Sequence, residues 1–161
     1  MKPRIEILAK KRLIGISQKM SFDSTKIVLL WKSFMSGKKK ITNTLTTDLF
    51  AVQIYEDGSF NIDSPPTEFT MWAAVEVADF SDVPDGMESL ALQNGLYAVF
   101  LLKGSDAESL YDYILKIWLP KSDFLLDNRP HFQLMGSKYK NNDPSSEEDF
   151  WIPIKRKNHE K

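Results

Sequence analysis

The chain of 161 residues contains no cysteine. Disulfides, thiolate metal sites and cysteine nucleophiles are therefore excluded, and a reducing compartment fits this composition. Only two histidines are present, and one of them, His159, falls in the charged C-terminal tail. Because His131 alone, without clustered acids, makes no metal site, we predict neither a metal nor any other cofactor.

The sequence also has no long apolar run and no excess of one charge. No stretch approaches the ~20 apolar residues of a membrane span, and the charged N-terminus, MKPRIEILAKKRLIG, is unlike a secretory signal. The formal net charge of -1 gives no general attraction to nucleic acid. We therefore expect a cytoplasmic protein that binds neither membrane nor nucleic acid.

Aromatic residues are plentiful, with 10 Phe, 5 Tyr and 4 Trp. The chain is long enough to bury one sizeable core without a metal or disulfide. Aromatic walls combined with one acid hold flat, lipophilic and often cationic molecules. The composition therefore favours a binding module over a catalyst.

The clearest candidate for a functional carboxylate is Glu76, in the strand-like stretch FTMWAAVEV at residues 69–77. A strand alternates its side chains with a period of two, so Trp72, Ala74 and Glu76 share one face. A carboxylate on a mostly apolar strand is costly to bury unpaired, and the stretch holds no Lys or Arg. A cationic ligand, a distant basic side chain or solvent at the end of the strand could each supply the partner.

Hydrophobic periodicity predicts the order strand, helix, strand, strand, which then begins again after residue 86. The first strand is predicted to be long and bent near its middle. The second helix is predicted to begin with a capping box between Ser105 and Glu108. The predicted strands cover residues 3–20, 49–55 and 69–77 in the first half, and in the second half one ends at residue 102 and the others cover 131–135 and 150–155.

The two halves match at offsets of 83 residues in the first strand and helix, 80 in the next strand and 75 in the last. At the last offset Glu76 corresponds to Trp151. Each half is too small to close its own core, so we expect the halves to pack about a pseudo-two-fold axis. The predicted fold class is α+β, with one antiparallel sheet, helices on one side and a groove between the halves.

Spaced motifs add a family resemblance, and four of them are GLYAVF at 95–100, WLP at 118–120, DNRPHF at 127–132 and FWIPIK at 150–155. Together with the duplication, they make the chain similar to the GyrI-like small-molecule-binding domain. That family is also the effector-binding domain of AraC-type and MerR-type regulators. The resemblance covers residues from about 4 to 155.

The resemblance implies a single domain over residues 1–161, made of two SHS2-type repeats at about 4–80 and 87–155 and followed by a charged tail at 156–161. Because the first strand starts at about residue 4, we expect a stand-alone member without the DNA-binding module of the regulators. The family's binding acid lies on the last strand of the first half, which is Glu76 here. Relatives often carry a second acid where this chain has Gln133.

The expected function is binding of a lipophilic, cationic or aromatic small molecule in the groove between the repeats. Trp31 and Tyr113, one from each helix, are expected to approach that groove from opposite sides, with Glu76 on the sheet beneath. The predicted ligand-binding residues are Glu76, Trp72, Trp31, Tyr97, Tyr113 and Trp151.

Two other functions follow from the resemblance alone. Hydrolytic relatives imply a hydrolase of strained electrophilic toxins such as cyclopropane-containing compounds, with Glu76 activating water and Tyr97 or Tyr113 protonating the leaving atom. Gyrase-inhibiting relatives imply an inhibitor that docks on a protein partner.

Overall fold

The structure, a computed structural model, describes residues 2–21, 24–56, 60, 66–140 and 143–157. In this part of the chain nine strands form one sheet, and all the paired strands are antiparallel. The first-half elements are β1 (Arg4–Leu8), β2 (Lys11–Ser21), α1 (Ser24–Gly37), a 3-10 turn (Lys38–Lys40), β3 (Leu49–Ile54) and β4 (Glu68–Val77). The later elements are β5 (Glu88–Leu92), β6 (Gly95–Lys103), α2 (Ala107–Tyr113), a π-helical segment (Ile114–Trp118), α3 (Leu119–Lys121), β7 (Phe124–Leu126), β8 (His131–Met135) and β9 (Glu147–Arg156).

The strand order is β1-β6-β9-β8-β3-β4-β2-β5, with β7 paired to β9. This order is symmetric about its middle: β3 and β8 pair at the centre, β4 and β9 flank them, and β2 and β6 come next. Both helices lie on the same side of the sheet, because the strand residues packed under them share one face. The predicted α+β fold with duplicated halves is confirmed.

The sheet is strongly curled. β1 and β2 are joined by only Ala9 and Lys10, yet they stand six places apart in the strand order. Six strand spacings in a flat sheet would cover about 29 Å, whereas such a link reaches about 10 Å. Gln93 and Asn94 join β5 to β6 across the same separation. The two edges of the sheet therefore approach each other. The predicted single bent strand over residues 3–20 is wrong, because β1 pairs with β6 of the second half.

Three hydrophobic clusters follow from this shape. On the helix side each half has its own cluster. Leu30 and Phe34 of α1 belong to one, and Leu110 of α2 and Ile114 of the π-helical segment belong to the other. On the helix-free side, strands of both halves share a single cluster enclosed by the curled sheet. The helices thus pack on separate parts of the sheet and leave β3 and β8 between them.

The strand register fixes which residues are counterparts. Val52 and Phe132, which are 80 residues apart, pair directly, so the pseudo-two-fold axis passes between them. Val52 also pairs with Trp72, as Phe132 does with Trp151. Trp72 is therefore the counterpart of Trp151, and the predicted match of Glu76 with Trp151 is wrong.

The predicted offset of 83 in the first strands is also wrong, because it matches residues that lie on opposite faces of the sheet. It would match Ile14, which packs under α1, with Tyr97, which lies in the helix-free cluster. The predicted capping box is displaced by one residue. Asp106 is the N-cap of α2, and its carboxylate accepts a hydrogen bond from the Ser109 backbone N–H at 3.1 Å.

Candidate functional site

The predicted ligand residues are divided between the two faces of the sheet. Trp72, Tyr97 and Trp151 are buried in the helix-free cluster. Glu76 alternates with Trp72 along β4, so it lies on that same side, opposite Leu13 of β2.

The other two predicted residues lie on the helix side. Trp31 packs against the first-half cluster and Tyr113 against the second-half cluster. The sheet thus separates them from Glu76, and the predicted arrangement, with Glu76 beneath a groove lined by both, is wrong. The period of two along β4 is the reason, because the residues that face α1 are Met71, Ala73 and Val75. A ligand role for each residue separately stays a prediction.

Glu76 has a basic partner from a neighbouring strand. The Lys11 Nζ lies 3.4 Å from Glu76 Oε2, and both side chains are partly buried. Lys11 stands two residues before Leu13 in β2, on the same face, so the pairing follows from the strand register. The carboxylate therefore does not require a ligand to balance its charge.

The helix-free cluster is built as a core. The Phe132 and Trp151 rings stack at 5.2 Å between centroids. The Tyr97 hydroxyl donates to the Pro130 carbonyl at 2.8 Å, and the Arg129 guanidinium lies 4.7 Å from the Tyr97 ring. These rings are almost fully buried, so a ligand could reach them only after neighbouring groups moved.

A different set of side chains occupies the helix side between the two helices. We call the helix-side residues of the two central strands, β3 and β8, the seam. This surface is half polar, which is unusual for the middle of a sheet covered by helices. The seam consists of Leu49, Ala51, Gln53, His131, Gln133 and Met135.

One end of the seam carries a buried histidine surrounded by aromatic rings. His131 is 4% exposed, and its Nδ1 lies 2.6 Å from the Tyr111 hydroxyl of α2. Tyr55 and Phe60 place their ring centroids 5.1 and 5.2 Å from the imidazole. Burial lowers the pKa of His131 to about 3. The ring is therefore neutral at pH 7, and we assign the Tyr111 hydroxyl as the donor to Nδ1.

A second polar contact lies at this same end of the seam, where Gln53 pairs with His131. The Tyr55 hydroxyl donates to Gln53 Oε1 at 3.0 Å. Burial raises the pKa of the Tyr55 phenol to about 12, so it stays protonated. Gln53 and Gln133 are counterparts at the offset of 80, and they add amide groups on both sides of the axis.

The other end of the seam carries a buried acid. Glu148 lies on the helix side of β9, because it alternates with Phe150 of the second-half cluster. It is 9% exposed. Burial first, and then the charge of Asp149, raise its pKa to about 7. His131 and Met135 mark the two ends of β8, which are four residues and about 13 Å apart.

The pseudo-symmetry also relates the helices to the seam. At an offset of 80 the buried pair Leu30 and Phe34 of α1 matches Leu110 of α2 and Ile114 of the π-helical segment that follows it. Trp31 then corresponds to Tyr111, which contacts the seam, and not to Tyr113. Tyr113 instead lines a surface cavity of about 550 Å³ beside Lys103.

Sequence reasoning missed Tyr111, Tyr55 and Glu148. Glu148 had a usable signal, because the period of two from Phe150 and Ile152 places it on their face. Three acids in a row, at residues 147–149, obscure this signal, because such a run is also typical of a solvated start of a strand. In the part of the chain that the structure describes, no group of three acids or histidines could hold a metal ion.

The fold and the motifs together identify the class of protein. The sequence profile of the GyrI-like small molecule binding domain matches residues 1–155. The chain therefore belongs to the GyrI-like family of small-molecule-binding domains, and the resemblance stated from the motifs is confirmed. Comparison with curated protein sequences gives no match.

Solved structures share this fold at low sequence identity. SAV2435, in a structure bound to tetraphenylphosphonium, is 16% identical over 96% of this chain and 94% of that chain, with a TM-score of 0.70. The EcmrR C-terminal domain is 14% identical over 97% and 98%, with a TM-score of 0.71. A hydrolase from Listeria innocua is 10% identical over 96% and 92%, with a TM-score of 0.61. Identities this low establish the likeness of fold alone.

No helix among the described residues is both long enough and apolar enough to cross a membrane.

Proposed function

We propose that this domain binds a lipophilic, cationic or aromatic small molecule between its two repeats, on the helix side of the sheet and over the seam. One observation carries the proposal: partly exposed aromatic side chains of both halves contact the half-polar seam. Tyr55 of the first half bonds to Gln53, and Tyr111 of the second half bonds to His131. Trp31, which is partly exposed on α1, is the counterpart of Tyr111. Aromatic walls with a few convergent polar groups are the usual lining of a small-molecule site.

The ligand is expected to enter by parting side chains. Tyr55, Phe60 and Tyr111 close over His131, and two surface cavities, of about 730 and 550 Å³, lie away from the seam. An aromatic ligand can replace the ring contacts that these side chains make with one another, which keeps the cost of opening low.

Isothermal titration calorimetry with tetraphenylphosphonium tests the proposal, because that lipophilic cation is the ligand in the SAV2435 structure. Trp31→Ala should weaken binding at least about tenfold, since it removes one aromatic wall. Val28→Ala is the matched control, because Val28 lies on the same helix and is 59% exposed. Mass spectrometry of the recovered ligand separates binding from hydrolysis.

Glu76→Gln examines the opposite face of the sheet in the same assay. If this variant loses binding while Trp31→Ala retains it, the site lies on the helix-free side and the proposed location is wrong. If tetraphenylphosphonium and a panel of other lipophilic cations and neutral aromatics all fail to bind, the proposed function is wrong as well.

A further inference from the structure

Glu148 lies between residues of the two halves at its end of the seam. Its register partner in β6 is Leu102, which belongs to the second-half cluster. The β8–β9 register runs to Leu134 and Asp149, and its continuation places Met135, of the first-half cluster, on the other side of Glu148. The carboxylate therefore lies between apolar side chains of both repeats, beside the proposed ligand groove.

Neither neighbouring strand offers this carboxylate a cation. Among the described residues no Lys, Arg or His forms an ion pair with Glu148. Lys138 approaches Glu147 at 4.0 Å, and Arg4 approaches Asp149 at 3.4 Å, and both of these acids alternate with Glu148 and so point away from the seam.

The titratable groups that do act on Glu148 are all acidic. Asp149 is its neighbour in β9, and Tyr139 comes from the connection between β8 and β9. β6 and β8 present only Leu102 and Met135 to it. A buried carboxylate in such surroundings is stabilised either by a proton or by a cation from outside the chain.

We infer that Glu148 makes the groove selective for organic cations by exchanging its carboxyl proton for the positive charge of the ligand. The inference rests on the proposed function and names the ligand class of the same site. In the empty groove the pKa of about 7 leaves Glu148 partly protonated at neutral pH. When a cation binds, the carboxyl O–H bond breaks, the proton passes to the buffer, and the carboxylate balances the charge of the ligand.

The wild-type protein alone gives the first test. Tetraphenylphosphonium carries a permanent charge and no titratable proton, so any proton released on binding comes from the protein. Calorimetry at pH 6 in two buffers of different ionisation enthalpy should show release of nearly one proton. The apparent affinity should be about tenfold weaker at pH 6 than at pH 8, because the proton competes with the cation below the pKa of the acid.

Variants provide the second test. Glu148→Gln should bind tetraphenylphosphonium at least about tenfold more weakly at pH 8, with no dependence on pH. Glu147→Gln is the matched control, because Glu147 is the preceding residue and faces away from the seam, and it should behave as the wild type. Triphenylphosphine oxide, a neutral aromatic of related shape, should bind the wild type and Glu148→Gln alike.

The outcomes distinguish this inference from the function on which it rests. If tetraphenylphosphonium binds without proton release, or equally well to Glu148→Gln, Glu148 is not the selecting group, while the groove stands as the site. If neither that cation nor the neutral oxide binds the wild type, both the proposed function and this inference are overturned.

Discussion

At the scale of single residues, two acids, Glu76 and Glu148, are the candidates for balancing the charge of a cationic ligand. Sequence periodicity correctly placed Glu76 and Trp72 on one face of a strand, but it did not reveal which face lies under the helices. Lys11 was also hidden, since it is 65 residues from Glu76 and pairs with it only through the strand register. Glu148 has no such partner in the described part of the chain. The acid with the clearest sequence signal is thus paired, and the less evident one is the acid that we propose as the ligand contact.

The hydrogen bond between Tyr111 and His131 should contribute measurably to stability. Tyr111→Phe keeps the ring but leaves the buried Nδ1 of His131 without its donor. We expect the free energy of unfolding to fall by about 1 to 3 kcal/mol, as measured by urea denaturation. Ser36→Ala, which removes an exposed hydrogen bond to the Ser33 carbonyl, should change it by less than about 0.5 kcal/mol. Equal effects of the two substitutions would contradict a structural role for the Tyr111 hydroxyl.

Stability should respond to pH through His131 and Glu148 in opposite directions. Burial lowers the pKa of His131 to about 3, so its contribution is complete above about pH 6.5 and is lost as the pH falls towards 3. The pKa of Glu148 is raised to about 7, so its contribution is complete below about pH 4.5 and is lost as the pH rises through 7. Between about pH 4.5 and 6.5 the two nearly cancel.

Glu148→Gln removes the contribution to stability that is lost as the pH rises and leaves that of His131. The free energy of unfolding of the variant should then rise between pH 4.5 and 6.5, by up to about 2 kcal/mol more than that of the wild type. Urea denaturation at several pH values measures the difference between the two proteins, so titrating groups that they share drop out. Parallel pH profiles would show that Glu148 titrates normally in the folded state.

At the scale of elements, hydrophobic patterns along the sequence predicted individual helices and strands but not how the strands pair. The apolar stripe that includes Leu30 and Phe34 predicted α1, and alternation predicted β4 and β9. The exchange of β1 and β5 between the halves was not predictable, because strand pairing depends on contacts that are distant in sequence. Residues 3–20 alternate almost continuously, so one strand and two strands give the same pattern. Only the register shows that the chain crosses from one half to the other after Leu8.

The close packing of β2 on β4 depends on one small residue. A Cβ added to Gly15 would overlap the Ala73 carbonyl oxygen and would lie 2.7 Å from the Ala74 Cα. Both contacts are with backbone that cannot move without breaking the ladder. Gly15→Ala should therefore lower the free energy of unfolding by about 3 kcal/mol or more, or prevent folding, as measured by urea denaturation and circular dichroism. Gly86→Ala, with φ of 82° but open space around it, should cost about 1 kcal/mol.

At the scale of the whole molecule, the duplication creates two distinct regions between the repeats. The helix-free region is filled by Trp72, Trp151 and their neighbours, and it holds the curled sheet together. The helix-side region consists of the seam, which lies between the helices because each helix packs within its own half. Sequence similarity between the halves predicted a groove between them, and its location over the seam is our proposal. The similarity could not show which residues would line such a groove, since an error of one residue in the offset exchanges the two faces.

The most direct test is an experimental structure of the domain with tetraphenylphosphonium bound. We predict one ligand on the helix side, between α1 and α2, in contact with Trp31 and Tyr111 and with its phosphonium centre nearer to Glu148 than to Glu76. A ligand found instead inside the helix-free cluster, against Trp72 and Trp151, would contradict the central claim.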